Sequence, residues 1–472
     1  MGRERRGVGA DTGADTGAGR VVMTGLERRA AAGLAGIFAF RMLGLFLILP
    51  VFAIHAQGLT GATPLLIGLA IGAYGLTQAI LGIPAGTLSD RFGRKPVIFG
   101  GLALFAIGSV VAALSTSIEG VIAGRVIQGS GAIAAAVMAL AADLTREEVR
   151  TRAMAGIGIS IGVSFGLAMV LGPSLAHWFG LAGIFWFTAL LALSGVAVLA
   201  LVVPNPVHSS IHRDAEPVVG QLRGVLLNPD LLRLDYGILT LHMLMTALFL
   251  VVPLDLRAAG LPAAHHWWVY LPVLVLSVLA MVPFIIMAER HGHMKGVLLG
   301  AIAALGLALL GFWGFHTSLP TLVLFLFLFF TAFNLLEASL PSLISRVAPP
   351  AAKGTAMGAF STSQFLGAFL GGLLGGFFHQ RFGQDAVLLF CAATALLWLL
   401  VALPMRKPRQ VSSQVVRVGA DQLQDPEGIE RLLREIPGVE EAVVVAEEGL
   451  AYLKVDNRRL DSARLQALCA GA

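Results

Sequence analysis

The chain has 472 residues, 57% of them hydrophobic and only 13% charged, with a net charge of +5 and a mean hydropathy of +0.82. Soluble domains carry about 25% charged residues, so an ordinary water-soluble globule is excluded. ATP drive lacks support because no GxxxxGK[ST] loop occurs, no catalytic constellation is present, and neither a cofactor nor nucleic acid is expected as a partner. The first 29 residues set Arg3, Arg5, Arg6 and Arg20 among Gly, Ala, Thr and Asp and read as a disordered basic extension, with Met23 as a second candidate start.

Twelve apolar blocks follow, at 30–56, 65–88, 96–115, 119–142, 153–178, 182–203, 233–256, 265–288, 295–316, 319–345, 354–379 and 384–404. Blocks of roughly 20 residues span a bilayer as helices, in which every backbone group is bonded internally. The polar break at 204–232 divides them six and six, as expected of an all-α membrane protein built from two six-helix halves, 30–203 and 233–404, related by an axis along the membrane normal. Lysine and arginine alternate loop by loop. One side carries Arg91, Arg94, Lys95, Arg146, Arg150, Arg152, Arg213, Arg223, Arg290, Lys295, Arg346 and Lys353, and the other little beyond Arg257 and Arg381. The positive-inside rule then places both termini in the cytoplasm of a multi-pass protein of the bacterial inner membrane.

After a linker at 405–413 the composition changes. Residues 414–472 hold seven basic and eleven acidic side chains and read as a small soluble α/β domain. Strands are expected at 415–418, 441–446 and 450–455, and helices at 426–435 and 462–468, a β-α-β-β-α order that suggests a ferredoxin-like unit without its last strand. Its acidic balance suggests docking against the basic loops. Cys391 and Cys469 lie in unlike contexts and form neither a disulfide framework nor a metal site.

The segment 86–95 reads Gly86-Thr-Leu-Ser-Asp90-Arg91-Phe-Gly93-Arg94-Lys95. Gly-x-x-x-Asp-Arg-x-Gly-Arg-Lys between the second and third of twelve spans resembles motif A of the major facilitator superfamily. Arg125-Val-Ile-Gln128-Gly129 in span four resembles its motif B. Gly166 with Gly172-Pro173 in span five resembles the antiporter motif C, although the closing glycine pair is missing. The second half carries a decayed motif A, Glu289-Arg290-His-Gly292-His-Met-Lys295. The resemblance covers spans one to twelve and implies a twelve-span drug/proton antiporter. The tail is a domain that most members of the family lack; it has the outline of a heavy-metal-associated domain without the paired cysteines, so no metal is expected. The resemblance further implies a charge relay that locks the halves when the cytoplasmic side is closed. In it Arg94 bridges Asp90 to Asp143, and Asp90 sits near the start of span eleven, where the positive end of the helix favours a carboxylate.

Charge at membrane depth is costly and marks function. The candidates are Arg41, Arg125, Asp235, His242 and Glu337. Arg41 and Asp235 lie near enough to the span ends to snorkel. The resemblance assigns Arg125 to proton coupling. Glu337 is a carboxylate well inside an apolar span and the best proton site, and His242 is a second one because imidazole changes charge near neutral pH. A cavity lined by spans one, four, seven and ten would present Arg41, Gln128, His242, Asn334 and Glu337. Glycines every fourth residue at Gly82/Gly86, Gly158/Gly162/Gly166 and Gly367/Gly371/Gly375 suggest faces where the halves slide. The expected function is secondary, proton-coupled export of small lipophilic or drug-like compounds by a monomer. A symporter or facilitator of a metabolite, and a non-transporting sensor, are the alternatives.

Overall fold

A computed structural model describes residues 22–206, 219–349, 352–405, 412–419, 422–446, 449–456 and 458–469. The basic extension up to residue 21, the middle of the inter-bundle linker with Arg213, and residues 406–411 lie outside the described residues.

The first half contains α1 (Gly25–Phe46), a short α2 (Phe52–His55), α3 (Pro64–Phe92), α4 (Arg94–Leu114), α5 (Ile118–Ser130), α6 (Ala134–Asp143) and α7 (Glu147–Leu201). The linker ends in α8 (Leu222–Leu226). The second half contains α9 (Pro229–Ala258), α10 (Trp267–Glu289), α11 (Met294–Phe315), α12 (Leu319–Val347), α13 (Lys353–Phe382) and α14 (Gln384–Ala402). The starts follow from local chemistry. Thr24 and Glu27 close a capping box on α1; Thr63 caps α3 ahead of Pro64, and Asn228 caps α9 ahead of Pro229.

Among the described residues, eleven helices are long and apolar enough to cross a membrane. α7 has 55 residues and turns at Gly180, whose φ of +66° suits glycine, so it supplies spans five and six. The twelve expected crossings are thus accounted for. Span four is not one helix: the chain leaves helical geometry at 131–133, and α5 and α6 share the crossing. Span one also ends early, and turns around Pro50 connect it to α2. Within the halves α1 and α4 pack on α7, while α11 packs on α12 and α14. Across the halves α3 packs on α13.

The tail folds as β1 (Ser412–Arg417), α15 (Pro426–Arg434), β2 (Val439–Val445), β3 (Leu450–Val455) and α16 (Ser462–Cys469). The sheet order is β1-β3-β2, antiparallel throughout, which is the ferredoxin-like arrangement lacking its fourth strand. Ala442, Ala451, Leu453 and Val455 form a separate small core with Leu433 and Ile429 of α15. The tail meets the membrane bundle through a cation. Lys454 Nζ, held at 3.3 Å from Glu441, donates to the carbonyl oxygen of Val347 at the end of α12 over 3.3 Å. This described contact therefore runs opposite in sign to the expected docking of an acidic tail on basic loops.

Candidate functional site

Gly93 has φ +93° and turns the chain from α3 into α4. That turn sets Arg94 one residue into α4, where it is buried. Arg94 ion-pairs with Asp90, lies 3.4 Å from Asp143 Oδ2, and donates to Ser89 Oγ at 2.9 Å. The Asp143 carboxylate, at the end of α6, is 1% exposed, whereas that of Asp90 is 28% exposed. Lys95 Nζ caps the last turn region of α7 by donating to Val203 O at 2.6 Å. Arg91 lies over the ring of Phe92. The second half keeps the acidic group and changes its partner: Glu289 at the end of α10, in the place of Asp90, pairs with Arg346 at the end of α12, in the place of Asp143, and accepts from Ser342. Gly292 makes the matching turn at φ +72°.

The fourth expected contact is not made here. Among the described residues, the bonds of Asp90 go to Arg94 and do not reach span eleven. Thr355, at the start of α13, donates instead to Gln221 of the linker at 3.2 Å. The reason is where the halves touch. A β-carbon at Gly72 would stand 2.8 Å from the carbonyl oxygen of Phe369, and one at Gly376 2.7 Å from that of Pro64. Leu65 N donates to Gln380 Oε1 at 3.1 Å, and Arg257 reaches Gln57 at 3.5 Å. These contacts gather on the face away from the described termini. On the termini side, Gly82, Gly158 and Gly162 meet open space. The expected sliding face at Gly367/Gly371/Gly375 is corrected: these glycines admit α9 of the same half, against the backbone of Leu239 and Met243 and the side chains of Leu250 and Ala247. The seam between halves is Gly68/Gly72/Gly75 against the α13 segment 365–376.

A polar cluster bridges three helices of the second half. His242 Nδ1 donates to Ile238 O at 3.3 Å, which leaves Nε2 as an acceptor. Gln364 Nε2 of α13 lies 2.8 Å from that atom and 3.2 Å from Glu337 Oε1 of α12. Glu337 Oε2 is 3.8 Å from the imidazole, and the carboxyl side chain is 36% exposed. Phe333 covers the ring at 5.9 Å. Gln364 was not a candidate from sequence, because it lies on span eleven, outside the four spans expected to line the cavity, and carries no charge to mark it. Pro341 lacks an N–H and follows Glu337 by one turn, so the Glu337 carbonyl has no intrahelical donor.

The first half holds the other candidates. Arg125 is 1% exposed and donates to Gln128 Oε1 (2.9 Å) and to the carbonyls of Ala70 (3.3 Å) and Ile71 (3.4 Å). Gln128 in turn donates to Ser109 at 2.7 Å, so it braces spans three and four rather than facing a cavity. Arg41, also 1% exposed, bonds Gln78 of α3, and Asp235 is likewise buried. Neither snorkels as expected; both sit too deep among neighbouring helices. Asn334 turns from the cluster and donates to buried Ser277 of α10 at 2.9 Å. Gly129 admits the α3 backbone at Tyr74, and Gly172 beside Pro173 admits the turn after α1, with Leu47 O 2.8 Å from a built β-carbon. A pocket of about 520 Å³ opens on the closed face among Gln57, Thr63, Arg257 and His379; none of the expected cavity residues lines it.

The sequence profile of the Major Facilitator Superfamily matches residues 34–276 and 239–438. The chain is 49% identical over 436 residues to the inner membrane transport protein YajR of Escherichia coli K12, covering 92% of this chain and 96% of that protein. It is 26% identical over 323 residues to the multidrug resistance protein MdtH of Aeromonas salmonicida, covering 67% of this chain and 79% of that one. Its fold is similar to that of a bacterial homolog of the human lysosomal transporter Spinster in an inward-facing and occupied conformation, with a TM-score of 0.66 at 14% identity over 81% of this chain and 96% of that one.

Proposed function

The chain belongs to the major facilitator superfamily of membrane transporters, and we propose that it is a proton-coupled exporter of small lipophilic or drug-like compounds, working by alternating access. The observation that carries this is the cluster His242–Gln364–Glu337, two ionisable side chains joined through one amide inside the membrane. A proton arriving at His242 Nε2 turns an acceptor into a donor. The Gln364 amide must then present its oxygen, and its bond to Glu337 breaks. Glu337 is on α12, His242 on α9 and Gln364 on α13, the helix that also forms the seam with the first half. Protonation is thereby tied to the packing of the halves. The multidrug resistance relative supports a drug-like cargo.

Asp90, Arg94 and Asp143 act in this reading as the latch of the termini side, released in the present conformation and engaged with span eleven when that side closes. The loop charges support cytoplasmic termini, and a single chain holds both halves of the pathway. The incomplete motif C, with Gly172-Pro173 not followed by its glycine pair, is the observation that favours a symporter as the second reading.

Glu337→Gln is the test. In proteoliposomes, transport driven by a proton gradient is expected to fall at least ten-fold, about 1.4 kcal/mol in the driving step. Counterflow exchange without a gradient is expected to remain near wild type. Survival of gradient-driven transport at wild-type rate counts against Glu337 as the coupling group.

A further inference from the structure

Two arginines of the first half share one aromatic ring in the membrane interior. The guanidinium of Arg41 lies 5.7 Å from the centre of the Tyr74 ring, and that of Arg125 lies 5.1 Å from it. Neither has a carboxylate partner among the described residues. Arg125 is satisfied by two carbonyls and Gln128. Arg41 is not. Its bond to Gln78 leaves Nε and Nη1 without a well-formed acceptor, and the polar group beside it is the Tyr74 hydroxyl, which interacts with the guanidinium and carries no charge to balance it. A buried cation needs a counter-charge or acceptors, and a guanidinium presents its N–H groups as a fork that fits two oxygens.

The surroundings define the rest of the ligand. Tyr74 belongs to a small apolar cluster with Phe105, Ala106 and Ala192. Its ring also meets Phe365 of the second half, centroids 6.2 Å apart. Phe365 follows Gln364 in the chain. The ring beside the unsatisfied donors therefore touches the second half, next in sequence to the Gln364 of the polar cluster.

We propose that the cargo carries a singly charged oxyanion group on an apolar body, and that Arg41, aided by Tyr74 and by the field of Arg125, receives that group. The proposal rests on the transporter reading above and names the substrate class it leaves open. An inorganic anion such as chloride shares the chemistry, and the test separates the two.

Equilibrium binding to the purified full chain uses three probes with one ring system: 1-naphthoate, its neutral amide, and 1-naphthylmethylammonium. Titrations run in sulfate, which is doubly charged and strongly hydrated, and again in chloride. Naphthoate is expected to bind at least ten-fold more tightly than either analogue. Arg41→Gln is expected to abolish that preference, Arg41→Lys to keep part of it, and Tyr74→Phe, which keeps the ring and loses only the hydroxyl, to weaken naphthoate by several-fold. Absence of naphthoate binding, equal affinity for the three probes, preference for the cation, or an unchanged preference in Arg41→Gln overturns the proposal. So does an Arg41-dependent effect of chloride alone. The binding needs no gradient. Naphthoate preference without gradient-driven transport would count against proton coupling only, and charge-blind binding with intact transport would count against this inference only.

Discussion

Gly72→Leu is expected to abolish transport while leaving the chain folded, with activity at least 100-fold below wild type. The β-carbon alone would lie 2.8 Å from Phe369 O and 3.0 Å from Phe369 Cα, and both are backbone atoms of a helix that cannot step aside locally. Overpacking of this kind costs about 1–3 kcal/mol or more in a single structure. Here the strain falls on the contact between halves, and a molecule with two arrangements escapes it by moving to the other one. A bias of 3 kcal/mol changes the ratio of the two arrangements by more than 100-fold. A cysteine placed at Thr63, beside the seam on the closed face, should then label much faster than in the wild type. Gly82→Leu is the matched control, because a side chain there meets open space in this arrangement. Equal labelling and equal transport in Gly72→Leu and wild type would show that the seam does not hold the halves.

Arg94→Ala is the second large effect. Arg94 bonds Asp90, Ser89 and Asp143 at once, and the Asp143 carboxylate has almost no access to water. Removing one partner of a buried ion pair costs about 3–5 kcal/mol, because the remaining charge keeps its desolvation without its bond. The expected result is a drop in thermal midpoint on the order of 10 °C in detergent. Arg94→Lys keeps the charge and loses the planar fork, so it should recover part of the loss. Asp90→Asn should cost far less, since that carboxylate reaches solvent. A ranking with Asp90→Asn as the most damaging of the three would contradict this assignment of the energy.

The membrane bundle was legible in the sequence because its signal is coarse. Blocks of apolar residues at bilayer length need no knowledge of which face they bury, and ten of the twelve blocks map onto one helix or onto the two arms of α7. The exceptions are span one, which passes from α1 through turns at Pro50 into α2, and span four. Span four reads as one block because Gly131, Ala132 and Ile133 are as apolar as their neighbours, yet the chain leaves helical geometry there. Small residues mark a possible break without saying whether it is used. The tail was legible from short apolar runs set between turn residues: Leu450–Val455, after the turn at Gly449, is found where that pattern put it.

The site was only partly legible. Motif spacing located Asp90 and Arg94, the family resemblance implied Asp143 as the third member, and the structure brings the three side chains together. Charge located Glu337 and His242 but not Gln364, the amide between them. Depth located Arg41 and Arg125 but not Tyr74, because an aromatic ring in an apolar helix carries no mark of its cationic neighbours. Asn334 was placed with Glu337 because they are three residues apart on a helix. The amide in fact turns toward Ser277, and a helical stripe cannot resolve that difference of angle.

The contact between tail and bundle has a consequence for how the sequence can drift. Lys454 binds the carbonyl oxygen of Val347, a group every amino acid supplies. Substitutions at position 347 can change the side chain without removing the acceptor. The lysine and its neighbour Glu441 have no such freedom. The bundle can therefore be remodelled for a different cargo, in nature or by design, while the tail keeps its place, and the genetic cost of losing that attachment falls on the soluble unit.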